Sequence, residues 1–179
     1  MKNILLLFCM AALFSCTSSS SKLAKQIDRQ LKITNENIAH GKPDSLVIDS
    51  VTIAIEKFVK ENPKDTLSPA YLFELSLLYQ KQQQMDKTIV TLDRVAKEYP
   101  DSKQAVKAVF LEGFLYANVL NQLDKAKEKY QLYLDKYSAV DAKMTSDVKS
   151  ELENLGKSPE QILQELQEKA KSDTASARS

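Results

Sequence analysis

Residues 69–102 read PAYLFELSLLYQKQQQMDKTIVTLDRVAKEYPDS. Within them, Leu72-x2-Leu75-Ser76-x2-Tyr79 is followed by Thr88-x3-Leu92-x2-Val95 and closed by Pro100. The apolar positions recur every three or four residues, the spacing that gathers them on one side of an α-helix. Ser68-Pro69 reads as an N-cap with proline at the first helical position, opening a helix to about Gln82. A second helix is expected from Met85 to Glu98, with Ile89, Leu92, Val95 and Ala96 on one face. Pro100 stops it.

The same spacing extends both ways. Upstream, Leu23, Ile27, Leu31 and Ile38 predict a helix from about Lys22 to Ala39, broken by Gly41-Lys42-Pro43-Asp44. Asp44 or Ser45 caps the next helix, which buries Val47, Val51, Ile55, Phe58 and Val59 and ends before Asn62-Pro63. Downstream, Asp101 or Ser102 starts a helix to Leu120. Another follows from Asp124 to Lys136, burying Ala126, Tyr130 and Leu134 or their neighbours. A seventh spans about Val140 to Asn154 and ends at Gly156. Ser158-Pro159-Glu160-Gln161 combines N-cap, proline and capping box and opens an eighth helix to about Lys171. With three glycines and no tryptophan in 179 residues, and abundant Leu, Lys, Glu, Gln and Ala, the chain favours helix over sheet.

Repetition separates a stack of pairs from a generic bundle. Asn62-Pro63, Tyr99-Pro100 and Tyr137-Ser138 each close a helix, at intervals of 37 and then 38 residues. Asp86-Lys87 recurs as Asp124-Lys125, each Asp standing 13 residues before a Tyr. Such a period signifies stacked helix pairs, none of which buries its apolar face alone.

The stretch from Leu72 to Pro100 resembles the tetratricopeptide repeat, whose first helix carries a bulky residue, Leu-Gly and Tyr, and whose second carries Ala, Phe and a closing Pro. Ser76 replaces the glycine where two helices cross closely, and Thr88 replaces the alanine. The next unit has Gly113-x2-Tyr116 and Ala126-x3-Tyr130, with Ser138 in place of proline. The flanking pairs, Lys22 to Pro63 and Val140 to Lys171, are looser, as terminal repeats tend to be. The resemblance implies an all-α fold, a right-handed superhelical stack of about four tetratricopeptide-like helix pairs. It also implies a concave side lined by the first helix of each pair. Phe73, Leu77, Gln80 and Lys81 would line it on the third helix, and Phe110, Phe114, Ala117 and Asn118 on the fifth. Such a stripe suits an apolar or aromatic peptide whose backbone Gln80 and Asn118 hold. For Phe73 and Phe110 two readings stay open: groove wall, or plain core beneath the flanking helices.

The N-terminus reads as an address. Lys2 precedes an apolar run from Ile4 to Leu13, the pattern of a secretory signal. That run is shorter than the roughly 20 apolar residues a helix needs to span a bilayer. Leu13-Phe14-Ser15-Cys16 resembles the lipobox of bacterial lipoproteins, with Phe14 bulkier than usual. The resemblance implies cleavage before Cys16 and acylation of its thiol and amine. Cys9 leaves with the signal, so the mature chain keeps a single cysteine and has no internal disulfide. Acyl chains contribute about 0.8 kcal/mol per buried methylene, and stable anchoring takes more than one chain. The expected organisation is a signal over 1–15, a lipidated polar tether over 16–21, a repeat domain over 22–171 and a disordered tail over 172–179.

Tyr99-Pro100-Asp101-Ser102 and the Phe-x2-Gly-x2-Tyr of Phe110 to Tyr116 resemble envelope repeat lipoproteins of the BamD type and the repeat domain of the Tol–Pal coordinator YbgF. Asn154 to Glu160 is similar to a phrase in Tol–Pal-type repeat lipoproteins of Bacteroidetes-like bacteria. This chain is too short for the five repeats usual in BamD, and Lys22 to Ala39 is too short for the YbgF coiled coil. The resemblance implies an interaction scaffold in β-barrel assembly or Tol–Pal coordination, with envelope proteins as partners. Alternatives are a periplasmic carrier of extended exported chains and a docking activator of a peptidoglycan enzyme. Thr17 follows the cysteine where aspartate would signal inner-membrane retention, and the first acid is Asp28. The expected location is therefore the periplasmic face of the outer membrane, lipid-anchored.

Catalysis is not expected. His40, the only histidine, sits beside Gly41 in a loop without the convergent partners that acid–base or metal chemistry needs. Ser18 to Ser21 belong to the tether, and Glu151 and Glu153 to solvated helix faces. No phosphate loop or Cys/His metal spacing occurs, so no cofactor, metal or small-molecule substrate is expected. Without Lys2 the chain carries 24 basic and 24 acidic residues, no footprint for nucleic acid and no polybasic membrane patch.

Overall fold

The computed structural model describes residues 2–176, with side chains described at 19–168, 170 and 171. Regular structure among the described residues is helical throughout: α1 (Lys2–Ala39), α2 (Ser45–Glu61), α3 (Leu67–Lys81), α4 (Met85–Glu98), α5 (Lys103–Asn118), α6 (Leu123–Tyr137), α7 (Ala142–Glu153) and α8 (Pro159–Ser176). The helices pack in consecutive pairs, as a tetratricopeptide-like array requires. The chain divides into two compact units, residues 1–95 and 96–179.

Helix starts follow from short polar side chains that satisfy free backbone N–H groups. The Asp44 carboxylate accepts from the N–H groups of Leu46 and Val47, and Ser102 accepts from Ala105. The capping box is formed: Ser158 N–H donates to Gln161 Oε1 at 2.8 Å, and Gln161 N–H to Ser158 Oγ at 3.3 Å. Gly156, at φ +80°, makes the left-handed turn before it. One start differs. Helix α3 begins at Leu67, not after Ser68, because Asp65 Oδ1 accepts from Leu67 N–H at 2.9 Å. Ser68 turns inward and donates to Asn62 O at 2.6 Å. Likewise α7 begins at Ala142 rather than at about Val140, with Asp141 as its cap accepting from Met144 N–H.

At the ends of the chain, α1 runs unbroken through Thr17 to Ser21, where the sequence predicts a flexible tether. No glycine or proline interrupts these residues, and serine costs a helix under about 1 kcal/mol relative to alanine. The side chains of the expected signal and of Cys16 lie outside the described residues. Helix α8 extends to Ser176, and the rest of the expected tail lies outside them too.

In the first unit Ile27, Val51, Ile55, Phe58, Leu72, Leu75, Leu92 and Val95 are fully buried in the interior. Phe58 and Tyr71 meet edge to face, ring centres 5.1 Å apart, a geometry favoured by the ring quadrupoles. Tyr71 Oη also donates to Asp28 at 2.9 Å, with Ala24 O at 3.2 Å, so α3 is fastened to α1. In the second unit Ala105, Val109, Ala126, Tyr130, Tyr133 and Val148 build the interior. Tyr133 and Tyr137, rather than Leu134, are buried on α6.

The small residues stand where the sequence places close crossings. Ser76 and Thr88 are buried. Their hydroxyls donate to Phe73 O at 2.6 Å and Gln84 O at 3.0 Å, back along their own chain. A Cβ on Gly113 would lie 2.6 Å from two carbons of the Tyr130 ring.

Candidate functional site

The expected binding stripe is divided between the two units. On α3, Phe73, Leu77 and Gln80 are half-buried and Lys81 is exposed. Lys81 Nζ donates to Asn35 Oδ1 of α1 at 2.6 Å, so this cation serves to hold two helices together.

On α5 the stripe splits by burial. Phe110 is half-buried and packs on the interior of its unit, its ring 6.4 Å from that of Tyr130. Phe114 turns outward and is 38 % exposed. Asn118 is exposed, and its amide N–H donates to Phe114 O at 3.1 Å. Ala117 and Asn118 enter the wall of an open groove of about 850 Å³, together with Leu123, Asn154, Leu155 and Ile162. Leu163 and Leu166 of α8 line its far side. This wall was not expected from the sequence. The signal was present: Ile162, Leu163 and Leu166 lie on one side of a helix whose other residues are mostly polar.

The groove's charges are engaged within the unit. Lys157 Nζ meets Glu165 at 2.6 Å. Glu151 accepts from Tyr130 Oη at 3.4 Å. Burial, and then the Glu151 charge, push the Tyr130 phenol far above its ordinary value. Deeper in the unit, Glu112 is wholly buried on α5 and pairs at 2.9 Å with Lys129 of α6. A carboxylate so placed needs its cation, since desolvation of an unpaired charge is far more costly than the pair.

The first unit has a cleft of about 280 Å³ whose lining includes Glu56, Tyr79, Lys87, Val90, Thr91 and Arg94. Arg94 grips the Glu56 carboxylate through both terminal nitrogens, at 2.7 and 3.3 Å. Lys87 Nζ stands 5.3 Å from the centre of the Tyr79 ring, and in the second unit Lys125 stands 5.3 Å from that of Tyr116. The recurring Asp-Lys step thus has a structural meaning: it returns an ammonium to the tyrosine of the preceding helix. A second groove of about 450 Å³ runs between α1 and α2, bordered by Leu23, Gln26, Leu46, Ser50 and Ile53.

His40 is exposed, and its Nδ1–H donates to Glu36 O at 2.6 Å, closing the C-terminus of α1. Among the described residues no three His, Cys, Asp or Glu side chains are grouped to hold a metal ion. No helix among them is long and apolar enough to cross a membrane.

No curated protein and no solved structure matches the chain. The Tetratricopeptide repeat family matches residues 70–102, which take in most of α3, all of α4 and the turn at Pro100. These two helices, with the buried Ser76 and Thr88 at their small-residue positions, thus match a tetratricopeptide repeat, a kind of module that typically binds other proteins.

Proposed function

We propose that this protein is a lipid-anchored, non-enzymatic interaction scaffold on the periplasmic face of a bacterial outer membrane, acting in envelope assembly or maintenance. The observation that carries the reading is one chain with two features: a tetratricopeptide repeat, and Leu13-Phe14-Ser15-Cys16 behind a short apolar run. The repeat supplies a protein-binding surface, and acylation at Cys16 supplies the attachment. BamD-like or YbgF-like partners follow from the helix-end and Phe-x2-Gly-x2-Tyr motifs. The groove beside Asn118 is the surface best suited to a partner segment, since its charged groups are already engaged.

Labelling cells with a clickable palmitate analogue tests the anchor: wild type takes up label and sediments with outer membranes, and Cys16→Ser does neither. Label retained by Cys16→Ser refutes the lipobox. Crosslinking in native membranes with mass spectrometry tests the role. A stable β-barrel assembly or Tol–Pal subunit supports the scaffold. A spread of unrelated exported chains identifies a carrier instead, and a peptidoglycan synthase identifies a docking activator.

A further inference from the structure

The near-neutral total of the chain conceals a local imbalance on α1. Lys22, Lys25, Arg29 and Lys32 are all exposed. Their spacing of three, four and three residues puts them within an arc of about 80° on the helix, along about 15 Å of its axis. Ala24, Ile27 and Thr34 are buried on the opposite side. Helix α3 fastens to α1 through Ala24, Asp28 and Asn35, and α2 through Gln30, all outside that arc. The basic stripe therefore faces away from both neighbours.

Little within the first unit neutralises it. Among the described residues no carboxylate pairs with Lys22, Lys25 or Arg29. Lys32 has Glu36 at 4.0 Å, but both side chains are largely exposed, where such a pair contributes little. Asp28 stands beside the stripe and accepts from Tyr71 Oη. The sum of charges predicts no polybasic membrane patch, and the fold corrects this: helical spacing gathers four cations on one face and gives Asp28 another task.

We propose that this stripe of α1 is a second membrane contact, binding the anionic phosphate headgroups of a lipid surface. Lys22 lies six residues beyond Cys16 on the same unbroken helix, about 9 Å along its axis. With Cys16 acylated, the cations come within reach of the headgroups, whose attraction acts over about 8 Å at physiological ionic strength. Each cation held near an anionic surface strengthens binding roughly fivefold. Ile33, exposed at the edge of the stripe, and the aliphatic stems of the lysines can lie against the interface while the charged heads reach the phosphates. Helix α1 then lies along the surface instead of standing on it, with α2 and α3 on its far side. The placement of the stripe rests on Cys16 as the anchor; its affinity for headgroups does not, and is tested without acylation.

The full chain carrying Cys16→Ser is titrated to partial binding with two kinds of vesicle, phosphatidylcholine alone and phosphatidylcholine with phosphatidylglycerol in equal parts. Cosedimentation is expected to show tighter binding to the anionic vesicles, lost in about 1 M salt, where charges are screened within about 3 Å. In the same background, Lys22→Gln/Lys25→Gln/Arg29→Gln/Lys32→Gln is expected to lower that binding by roughly tenfold or more. Lys103→Gln/Lys107→Gln/Lys127→Gln/Lys136→Gln removes as many exposed cations from the second unit and is expected to leave most of it intact. The altered side chains are exposed, and unchanged far-ultraviolet circular dichroism confirms that both variants fold. Acetylation by an amine reagent, mapped by mass spectrometry, is expected to slow at Lys22, Lys25 and Lys32 on anionic vesicles and not at Lys103 or Lys107. Equal binding to the two kinds of vesicle overturns the proposal. So does an equal loss in both variants, which would assign the attraction to net charge, or protection of other lysines in place of those of α1. Absence of palmitate label from a wild type whose stripe still binds would fall on the anchor alone.

Discussion

The Tyr130 ring fills the space that Gly113 leaves empty, two of its carbons lying 2.6 Å from where a Cβ would stand. The ring is fully buried, so it has nowhere to retreat. Gly113→Ala is expected to destabilise the second unit by about 1–3 kcal/mol, the cost of overpacking a dense interior. Urea denaturation measures it. Adding Tyr130→Leu in the same chain should recover part of the loss, because it removes the clashing ring; independent, additive losses would show that the crossing does not depend on this contact.

The Glu112–Lys129 pair gives a second prediction. Glu112→Ala or Lys129→Ala leaves a charge without its partner in a low-dielectric interior, at an expected cost of about 3–5 kcal/mol. Replacing both with apolar residues of similar volume, Glu112→Leu and Lys129→Met, is expected to cost much less than the sum of the single changes. A double-mutant cycle in urea reads the coupling. Additive effects would mean that the two groups act separately.

Alkali should unfold this protein readily. Tyr71, Tyr79, Tyr130, Tyr133 and Tyr137 all have phenols raised above the ordinary value of 10.0, with burial the first cause in each. Asp28 adds to it at Tyr71. With the folded value above the unfolded one, the unfolded chain releases protons first as pH rises past about 10. The folded state then binds more protons, and its stability falls with pH. Below that range these tyrosines contribute no pH dependence. Thermal melts from pH 8 to 11, with ultraviolet titration of phenolate, should show the steep fall in Tm beginning near 10. A flat Tm through that range would contradict the burial described for these rings.

A local change should stay local at α8. Ser158→Ala removes one half of its capping box, with an expected cost of about 1 kcal/mol. Beyond Ile162 the described side chains of α8 are exposed, so the loss falls on the opening of that helix rather than on global unfolding. Hydrogen exchange should quicken across residues 159–171 and remain unchanged in α5 and α6. Faster exchange throughout the second unit would show that α8 is integral to it.

The helices were legible because their signals are local. The Asp44 and Ser102 caps, the Ser158–Gln161 box and the turn at Gly156 each depend on residues within a few positions of one another. The pairing was legible through the spacing of Ser76, Thr88, Gly113 and Ala126, small residues that tertiary crossings demand. The start of α3 was less legible because Asp65 and Ser68 compete for the same role, and burial of Ser68 decides between them. The site was read only in part. Phe110 and Phe114 occupy the same stripe on paper, yet one packs on Tyr130 and the other faces water. Glu112 interrupts an apolar stripe with Ala105, Ala108 and Val109, which marks it for burial only once Lys129 is known to lie opposite. Leu163 and Leu166 gain a place only through the groove they share with Ala117 and Asn118.

The attachment of α1 to its unit also sets how the molecule bears force. A pull on the N-terminus of the chain enters along the axis of α1. It is resisted sideways by Gln30–Ser50, Tyr71–Asp28 and Lys81–Asn35, together with buried Ile27. These contacts all fall within residues 27–35 of α1 and cross its axis, so an axial load shears them together instead of peeling them one after another. Under tension the first unit therefore behaves as a clamp whose lifetime is set by a single concerted slip of α1, and the strain reaches α2 and α3 before α1 comes free.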